Sequence, residues 1–103
     1  MFRGSTPTFT FKIPFDVSQI KNLYVSVKQK VDDNVIQVDK TIDQCDLQDD
    51  TISCKFTQED TLKFNEYRNA SVQLRVLTLD DTSLVSDVFT ILVGEVLKEG
   101  VIK

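Results

Sequence analysis

Two cysteines give this sequence its most specific chemical signal. Residues 45–54 are typical of a hairpin with Asp49 and Asp50 at its tip. Pairing outward from this two-residue loop sets Cys45 directly opposite Cys54, and directly opposed Cβ atoms lie about 4.5–5.5 Å apart. This separation is close to the one a disulfide needs. The sequence therefore predicts a cross-strand pair, Cys45 and Cys54, on a face that points to the core.

Three states of this pair are consistent with the sequence. Buried, reduced thiols are the favoured interpretation, because free cysteine packs as a small apolar side chain and persists in reducing compartments. A cross-strand disulfide is the main alternative, and it would form after release into an oxidising medium. A zinc site or a redox switch is less favoured, because zinc would need carboxylates beside two sulfurs in a chain without histidine.

Acidic pairs are the second group of residues with potential chemistry. They occur at residues 32–33, 49–50, 59–60 and 80–81. Carboxylate oxygens suit calcium, but no pair follows the spaced Asp-x-Asp-x-Asp-Gly pattern of a calcium loop. Three of the pairs lie at predicted hairpin tips, where aspartate is favoured by its tolerance of left-handed backbone angles. Binding of calcium or a carbohydrate by these loops is kept as an alternative function.

Composition excludes several function classes. The absence of histidine excludes Ser-His and Cys-His nucleophile systems, and so short a sandwich has no evident cleft for paired carboxylates. We therefore expect no enzymatic activity and no cofactor. Net charge is −4, with 12 basic against 16 acidic residues, which opposes nucleic-acid binding. The apolar runs are too short to cross a bilayer, and no secretory signal is recognisable, so we expect no membrane partner and synthesis in the cytoplasm.

The elements that would position these groups are strands. Residues 8–15 alternate strictly, with Phe9, Phe11, Ile13 and Phe15 on one face. A period of two is typical of a half-buried strand. Each of these side chains contributes roughly 1.5–3 kcal/mol when fully buried. We therefore expect this face to form one wall of the core.

The rest of the chain repeats the pattern. A helical turn after Asp16 and one short helix, capped by Thr57, interrupt the strands. The further strands are predicted at residues 23–30, 35–42, 70–79 and 83–93, together with the two arms of the cysteine hairpin. About seven short strands and one helical turn in 103 residues predict a single all-β domain, residues 1–103. The expected fold is an antiparallel immunoglobulin-like β-sandwich, with a small barrel as the alternative.

The last predicted strand is apolar on both faces. One row holds Val85, Phe89, Ile91 and Val93, and the other holds Leu84, Val88 and Leu92. We expect Leu77 of the preceding strand to join the second row. A strand of this kind is covered on both sides, either by the tail at residues 95–103 or by another chain. The sequence therefore predicts a candidate interface at Leu77, Leu84, Val88 and Leu92.

A family resemblance adds a functional expectation. Residues 3–16, 62–64, 72–78 and 93–102 are similar to small prophage-encoded proteins of Firmicutes. The succession of strand, Asp-x-Ser connector and strand also resembles the immunoglobulin-like N-terminal domain of phage baseplate upper proteins. The resemblance implies a non-enzymatic virion structural or assembly protein, associated with the tail or baseplate. Its partners would be other phage structural proteins or further copies of itself, in the host cytoplasm and then in the virion. No catalytic residue carries over.

Overall fold

Alternating apolar residues form eight strands in two antiparallel sheets in the computed structural model, which describes residues 1–103. The strands are β1 Thr8–Lys12, β2 Ile20–Val31, β3 Asn34–Thr41, β4 Cys45–Gln48, β5 Thr51–Lys55, β6 Asn69–Thr78, β7 Ser83–Val85 and β8 Phe89–Leu92. The single α-helix, α1, spans Gln58–Leu62, and 3-10 turns occupy Val17–Gln19 and Ile42–Gln44. The expected all-β sandwich with one short helix is confirmed. None of the helical segments has the length and hydrophobicity that spanning a bilayer requires.

The strand order shows how the two layers are built. One sheet has the order β1-β5-β4, and the other has the order β3-β2-β6, with β7 and β8 both paired to β6. In immunoglobulin domains one sheet has the order A-B-E-D and the other contains C, F and G, to which variable-type domains add strand C′ beside C. With β1 as strand B, the two sheets found here have the orders B-E-D and C′-C-F-G, and strand A is the one without a counterpart. The strand order therefore agrees with the expected immunoglobulin-like sandwich.

The first strand supplies the aromatic wall that the alternation predicts. Phe11 and Ile13 are buried, and Phe9 and Phe15 pack half-buried against the core. The Phe11 ring lies 5.9 Å from the ring of Phe89, which belongs to the opposite sheet. Strand β1 ends at Lys12 and not at Phe15, because Pro14 cannot donate a ladder hydrogen bond.

The turns and caps follow the expected side-chain chemistry. Asp32, Asp49 and Asp81 take positive φ angles of 54°, 54° and 62° in the turns that end β2, β4 and β6. The Asp16 carboxylate accepts a hydrogen bond from the Ser18 N–H at 2.9 Å. These contacts confirm the predicted hairpin tips and the helical turn after the first strand.

A buried ion pair, which the sequence analysis missed, joins the helix to the second sheet. The Lys40 ammonium lies 2.6 Å from the Asp60 carboxylate, and both side chains are almost entirely buried. Asp60 also accepts the Thr57 N–H at 2.8 Å, while its own N–H donates to the Thr57 hydroxyl. The pair therefore fixes the capped start of α1 onto β3.

A buried amide holds the loop after the helix. The Gln29 side chain donates to the Asn65 carbonyl at 2.8 Å and accepts from the Asn65 N–H at 2.7 Å. Both Gln29 and Lys40 continue an inward row of aliphatic residues on their strands, so the same alternation places them inside. Their partners lie far along the chain, which is why the pattern did not reveal them.

Replacing Phe11 with alanine tests the assignment of the β1 face. We expect Phe11→Ala to lower the free energy of unfolding by about 3–5 kcal/mol, because it leaves a cavity between the sheets. Phe2→Ala is the matched control, since the Phe2 side chain is 66% exposed, and should cost less than about 1 kcal/mol. Urea unfolding followed by circular dichroism measures both. A loss below about 1 kcal/mol at Phe11 contradicts the face assignment.

The ion pair predicts a specific dependence of stability on pH. Burial raises the pKa of Asp60, but the hydrogen bonds from Lys40 and Thr57 outweigh it and leave this pKa below its ordinary value of 3.8. The folded protein therefore binds this proton less tightly than the unfolded chain does. The stabilisation is fully present above about pH 5, declines as pH falls below the ordinary pKa of 3.8, and is lost once pH falls through the folded pKa.

Urea unfolding between pH 7 and pH 3 measures this effect. We expect the loss of stability over this range to be smaller in Asp60→Asn, which has no carboxylate to protonate. Lys40→Met leaves the carboxylate buried without its cation and should lower stability at pH 7 by about 3 kcal/mol. Equal pH profiles for the wild type and Asp60→Asn would contradict the assigned role of the pair.

Candidate interaction surface

Three of the four predicted interface residues, Leu84, Val88 and Leu92, lie on the edge of the larger sheet, on a strand that a bulge divides in two. Leu84 is opposite Val76, and Phe89 is opposite Val72. These partners are four residues apart on β6, whereas Leu84 and Phe89 are five apart on the edge strand. One extra residue is therefore inserted at residues 86–88, which is the definition of a β-bulge.

The extra residue exchanges the two faces of the strand. Directly opposed residues share a face, so Leu84 lies on the core side with buried Val76, and Val85 lies on the outer side with exposed Arg75. Beyond the bulge, Phe89 lies on the core side, and Leu92 lies on the outer side opposite Asn69. The prediction that Leu84 shares a row with Leu92 is therefore wrong, because uninterrupted alternation does not hold across a bulge.

Ser86 supplies the hydrogen bonds that the bulge would otherwise lose. Its N–H donates to the Leu74 carbonyl at 2.8 Å, and its hydroxyl accepts from the Leu74 N–H at 2.9 Å. The hydroxyl also donates to the Asp87 carbonyl at 3.0 Å. The side-chain amide of Gln73 donates a hydrogen bond to the Ser86 carbonyl at 3.1 Å. The bulge is therefore a satisfied local structure, specified by a side chain.

Five large apolar side chains remain exposed along this edge. They have between 41% and 58% of their surface in solvent and are named here the apolar edge: Leu84, Val85, Val88, Phe89 and Leu92. The fourth predicted residue, Leu77, is half-buried and lies opposite Ser83, at the far end of β6 from Leu92. Eight residues of strand separate these positions, or about 26 Å. Leu77 therefore does not join Leu92 in one contact row.

The C-terminal tail does not cover the apolar edge. The Gln58 side chain of α1 accepts the Ile102 N–H at 2.8 Å and donates to the Ile102 carbonyl at 3.3 Å. The Arg3 guanidinium contacts the Glu99 carboxylate and donates to the carbonyls of Leu62 and Phe64 at the end of the helix. The tail thus packs against the helix region. Of the two expected covers for the last strand, the chain's own tail is excluded.

An apolar groove runs beside this edge, where the two sheets do not pair with each other. It encloses about 450 Å³ and is lined by residues of β1, β6 and β7 and of the segment after β1: Thr10, Phe11, Lys12, Ile13, Pro14, Phe15, Leu74, Val76, Leu84, Val85 and Ser86. Strand β1 pairs only with β5, and β7 pairs only with β6. Each strand therefore has a free edge, and such edges can bind an extended chain through backbone hydrogen bonds.

The cysteines and the acidic turns show how the other predicted sites are arranged. Cys45 pairs directly with Cys54, which confirms the predicted register, and both are free thiols. Burial raises the pKa of Cys54 to about 12 and also raises that of Cys45. No three His, Cys, Asp or Glu side chains gather into a metal-binding group. The acidic tips therefore do not converge on a common calcium site.

No protein-family model, no curated protein and no solved structure matches the chain. The resemblance to phage proteins therefore rests on the residues quoted for it.

The sequence analysis missed Val85 and Phe89 as exposed members of the edge. The polar dipeptide Ser86-Asp87, which interrupts an otherwise apolar strand, was the available signal, since bulges are over-represented at sheet edges.

Replacing Ser86 with alanine tests whether its hydroxyl stabilises the bulge. We expect Ser86→Ala to lower the free energy of unfolding by about 1–2 kcal/mol, because the Leu74 N–H loses its acceptor. Ser83→Ala on the same edge should change stability by less than about 0.5 kcal/mol, because Ser83 is exposed. Chemical denaturation measures both. Equal stability of the two variants would show that water or backbone replaces the hydroxyl.

Proposed function

We propose that this chain is a non-enzymatic phage structural or assembly protein that acts through protein–protein contacts at its apolar edge. The observation that carries the proposal is the cluster of five exposed apolar side chains on one edge strand, which the tail leaves uncovered. These side chains lie on both faces of the edge strand, and exposed apolar surface concentrated on one edge of a small protein is typical of an interaction site.

The size of the apolar edge is suited to such a contact. Five side chains, each about half exposed, present on the order of 400 Å² of apolar surface. Burial of this area is worth about 10 kcal/mol, which is comparable to the roughly 4–15 kcal/mol that association costs. Apolar burial alone therefore supports only a weak complex. Backbone hydrogen bonds to the free edges of β1 and β7 would supply further affinity and fix the orientation.

The phage assignment is supported by the resemblance described above, and the partner is then another phage structural protein or a second copy of this chain. Charged groups are sparse at the groove, where Lys12 is the one ionisable lining residue. The contact would therefore depend weakly on salt, because few ions are paired or released. No three acidic side chains gather at the loops, so calcium binding has no comparable feature in its favour.

Substitutions on the two edges of the larger sheet test the proposal. In a bacterial host that carries the gene in a prophage, the double variant Val85→Lys/Val88→Lys should lower the yield of infectious particles at least tenfold, because buried lysines disrupt an apolar contact. Val35→Lys is the matched control, because Val35 lies on the opposite edge strand, β3, and is similarly exposed at 53% against 55% for Val85. We expect this control to leave the yield unchanged.

Two further measurements make the result decisive. Circular dichroism and thermal melting establish that both purified variants fold. Mass spectrometry of purified particles, or of assembly intermediates, should detect the chain. If the chain is absent from both and a deletion leaves the phage titre unchanged, the phage proposal is wrong. If the chain is present but the Val85→Lys/Val88→Lys variant assembles normally, the assignment of the apolar edge is wrong.

A further inference from the structure

The two cysteines occupy a particular kind of position in the β4–β5 ladder. Along β5, the even-numbered positions bond towards β1, as the Phe56 N–H does to the Pro7 carbonyl at 2.9 Å. The turn at the start of β5 is consistent with this, because the Ile13 N–H donates to the Asp50 carbonyl at 2.8 Å. The backbone of Cys54 therefore points away from β4, and Cys45 and Cys54 form a non-hydrogen-bonded pair.

This position brings the two side chains unusually close. Opposed residues at non-hydrogen-bonded positions have Cα atoms about 4.5 Å apart, against about 5.5 Å at hydrogen-bonded positions. A disulfide accepts Cα separations of about 4.4–6.8 Å. Cys45 and Cys54 also share the inward face with Leu47 and Ile52, so their Cβ atoms point the same way. The backbone thus already holds a geometry that a disulfide can adopt.

The two thiols differ in access. Cys54 is fully buried on the central strand, where its thiol lies 3.9 Å from the Gln44 carbonyl as a weak hydrogen-bond donor. Cys45 is half-buried on β4, which is an edge strand with no neighbour beyond it. A reagent from solution can therefore reach Cys45 first, and Cys54 is its direct cross-strand partner.

We propose that Cys45 and Cys54 form a reversible oxidation site that reacts with low-molecular-weight disulfides. The Cys45 thiolate attacks the reagent RSSR, which breaks the reagent's S–S bond, forms a mixed disulfide and releases one thiolate. The Cys54 thiolate then attacks the Cys45 sulfur and expels the second thiolate. Each cysteine gives up one proton to a released thiolate. Overall, two cysteines are oxidised to one disulfide, and one RSSR is reduced to two RSH.

The surroundings make this oxidation slow at neutral pH. Burial raises the pKa of both thiols, Asp46 adds to the effect at Cys45 and Asp60 adds to it at Cys54, while Lys40 acts in the opposite direction on both. Thiolate is therefore scarce near pH 7, and the pair should stay reduced wherever reducing thiols are abundant. Oxidation should become faster at alkaline pH and proceed on prolonged exposure to an oxidising medium.

Closure of the disulfide would stabilise the smaller sheet. Strand β4 has four residues and pairs only with β5. The bond would keep residues 45 and 54 joined in the unfolded chain and so lower the conformational entropy gained on unfolding. Closing a short loop of this kind should raise the melting temperature by about 10 °C. The cysteine pair is at the β4 edge, away from the apolar edge on β7 and β8, so this inference does not depend on the proposed function.

Oxidised glutathione at pH 8.5 provides the test on the folded chain. We expect the mass to fall by about 2 Da as both thiols disappear together, and dithiothreitol should reverse the change. Cys54→Ala should instead accumulate a stable mixed disulfide on Cys45, with a mass gain of about 305 Da. Cys45→Ser should remain unmodified while folded, because Cys54 is inaccessible. Melting curves of the oxidised and reduced wild type measure the stabilisation.

Three outcomes would overturn the proposal. The first is a wild type that retains the mixed disulfide without closing the ring. The second is covalent dimers on a non-reducing gel. The third is a folded wild type that stays fully reduced while the same chain in urea is oxidised, which would show that the native packing blocks the reaction. Thermal melting of both cysteine variants checks that they fold, and intact-mass measurement separates these cases.

Discussion

The structure depends on one apolar interior that both sheets share. The two lateral sides of the sandwich differ in how they close this interior. On the side of β3 and β4, the buried Lys40–Asp60 pair and the capped start of α1 close the interior. On the side of β1 and β7, the strands do not pair across the layers, and apolar side chains line an open groove. The candidate interaction surface is therefore the open side of the core itself.

The alternation of residue types was sufficient to predict most of this architecture. It placed Phe11 and Ile13 inside, and the aspartates at the hairpin tips fixed the register that sets Cys45 opposite Cys54. The same rule failed at Ser86, where one inserted residue exchanges inner and outer positions for the remainder of the strand. A period of two carries no information on where it is interrupted. That information lies in the bonds of the Ser86 hydroxyl to the neighbouring backbone.

The bulge has opposite effects on the backbone and on the side chains of the edge. It interrupts the row of free N–H and C=O groups between β7 and β8, which limits uncontrolled pairing with other strands. It also leaves Val85 and Val88 in solvent, where a regular strand of alternating type would present polar residues. Protection against general aggregation thus coexists with an apolar surface. This combination is expected of a strand that binds one partner of complementary shape and does not pair with exposed strands in general.

The sheet behind the apolar edge makes such a contact favourable in a further respect. Strand β6 pairs along nearly its whole length with β2 on one side and with β7 and β8 on the other. Its inward residues Val72, Leu74 and Val76 are buried in the core. An edge strand anchored to so well-packed a neighbour loses little conformational freedom when it is bound. Because ordering of flexible segments is a large part of the cost of association, an edge that is already ordered loses less of the modest gain from apolar burial.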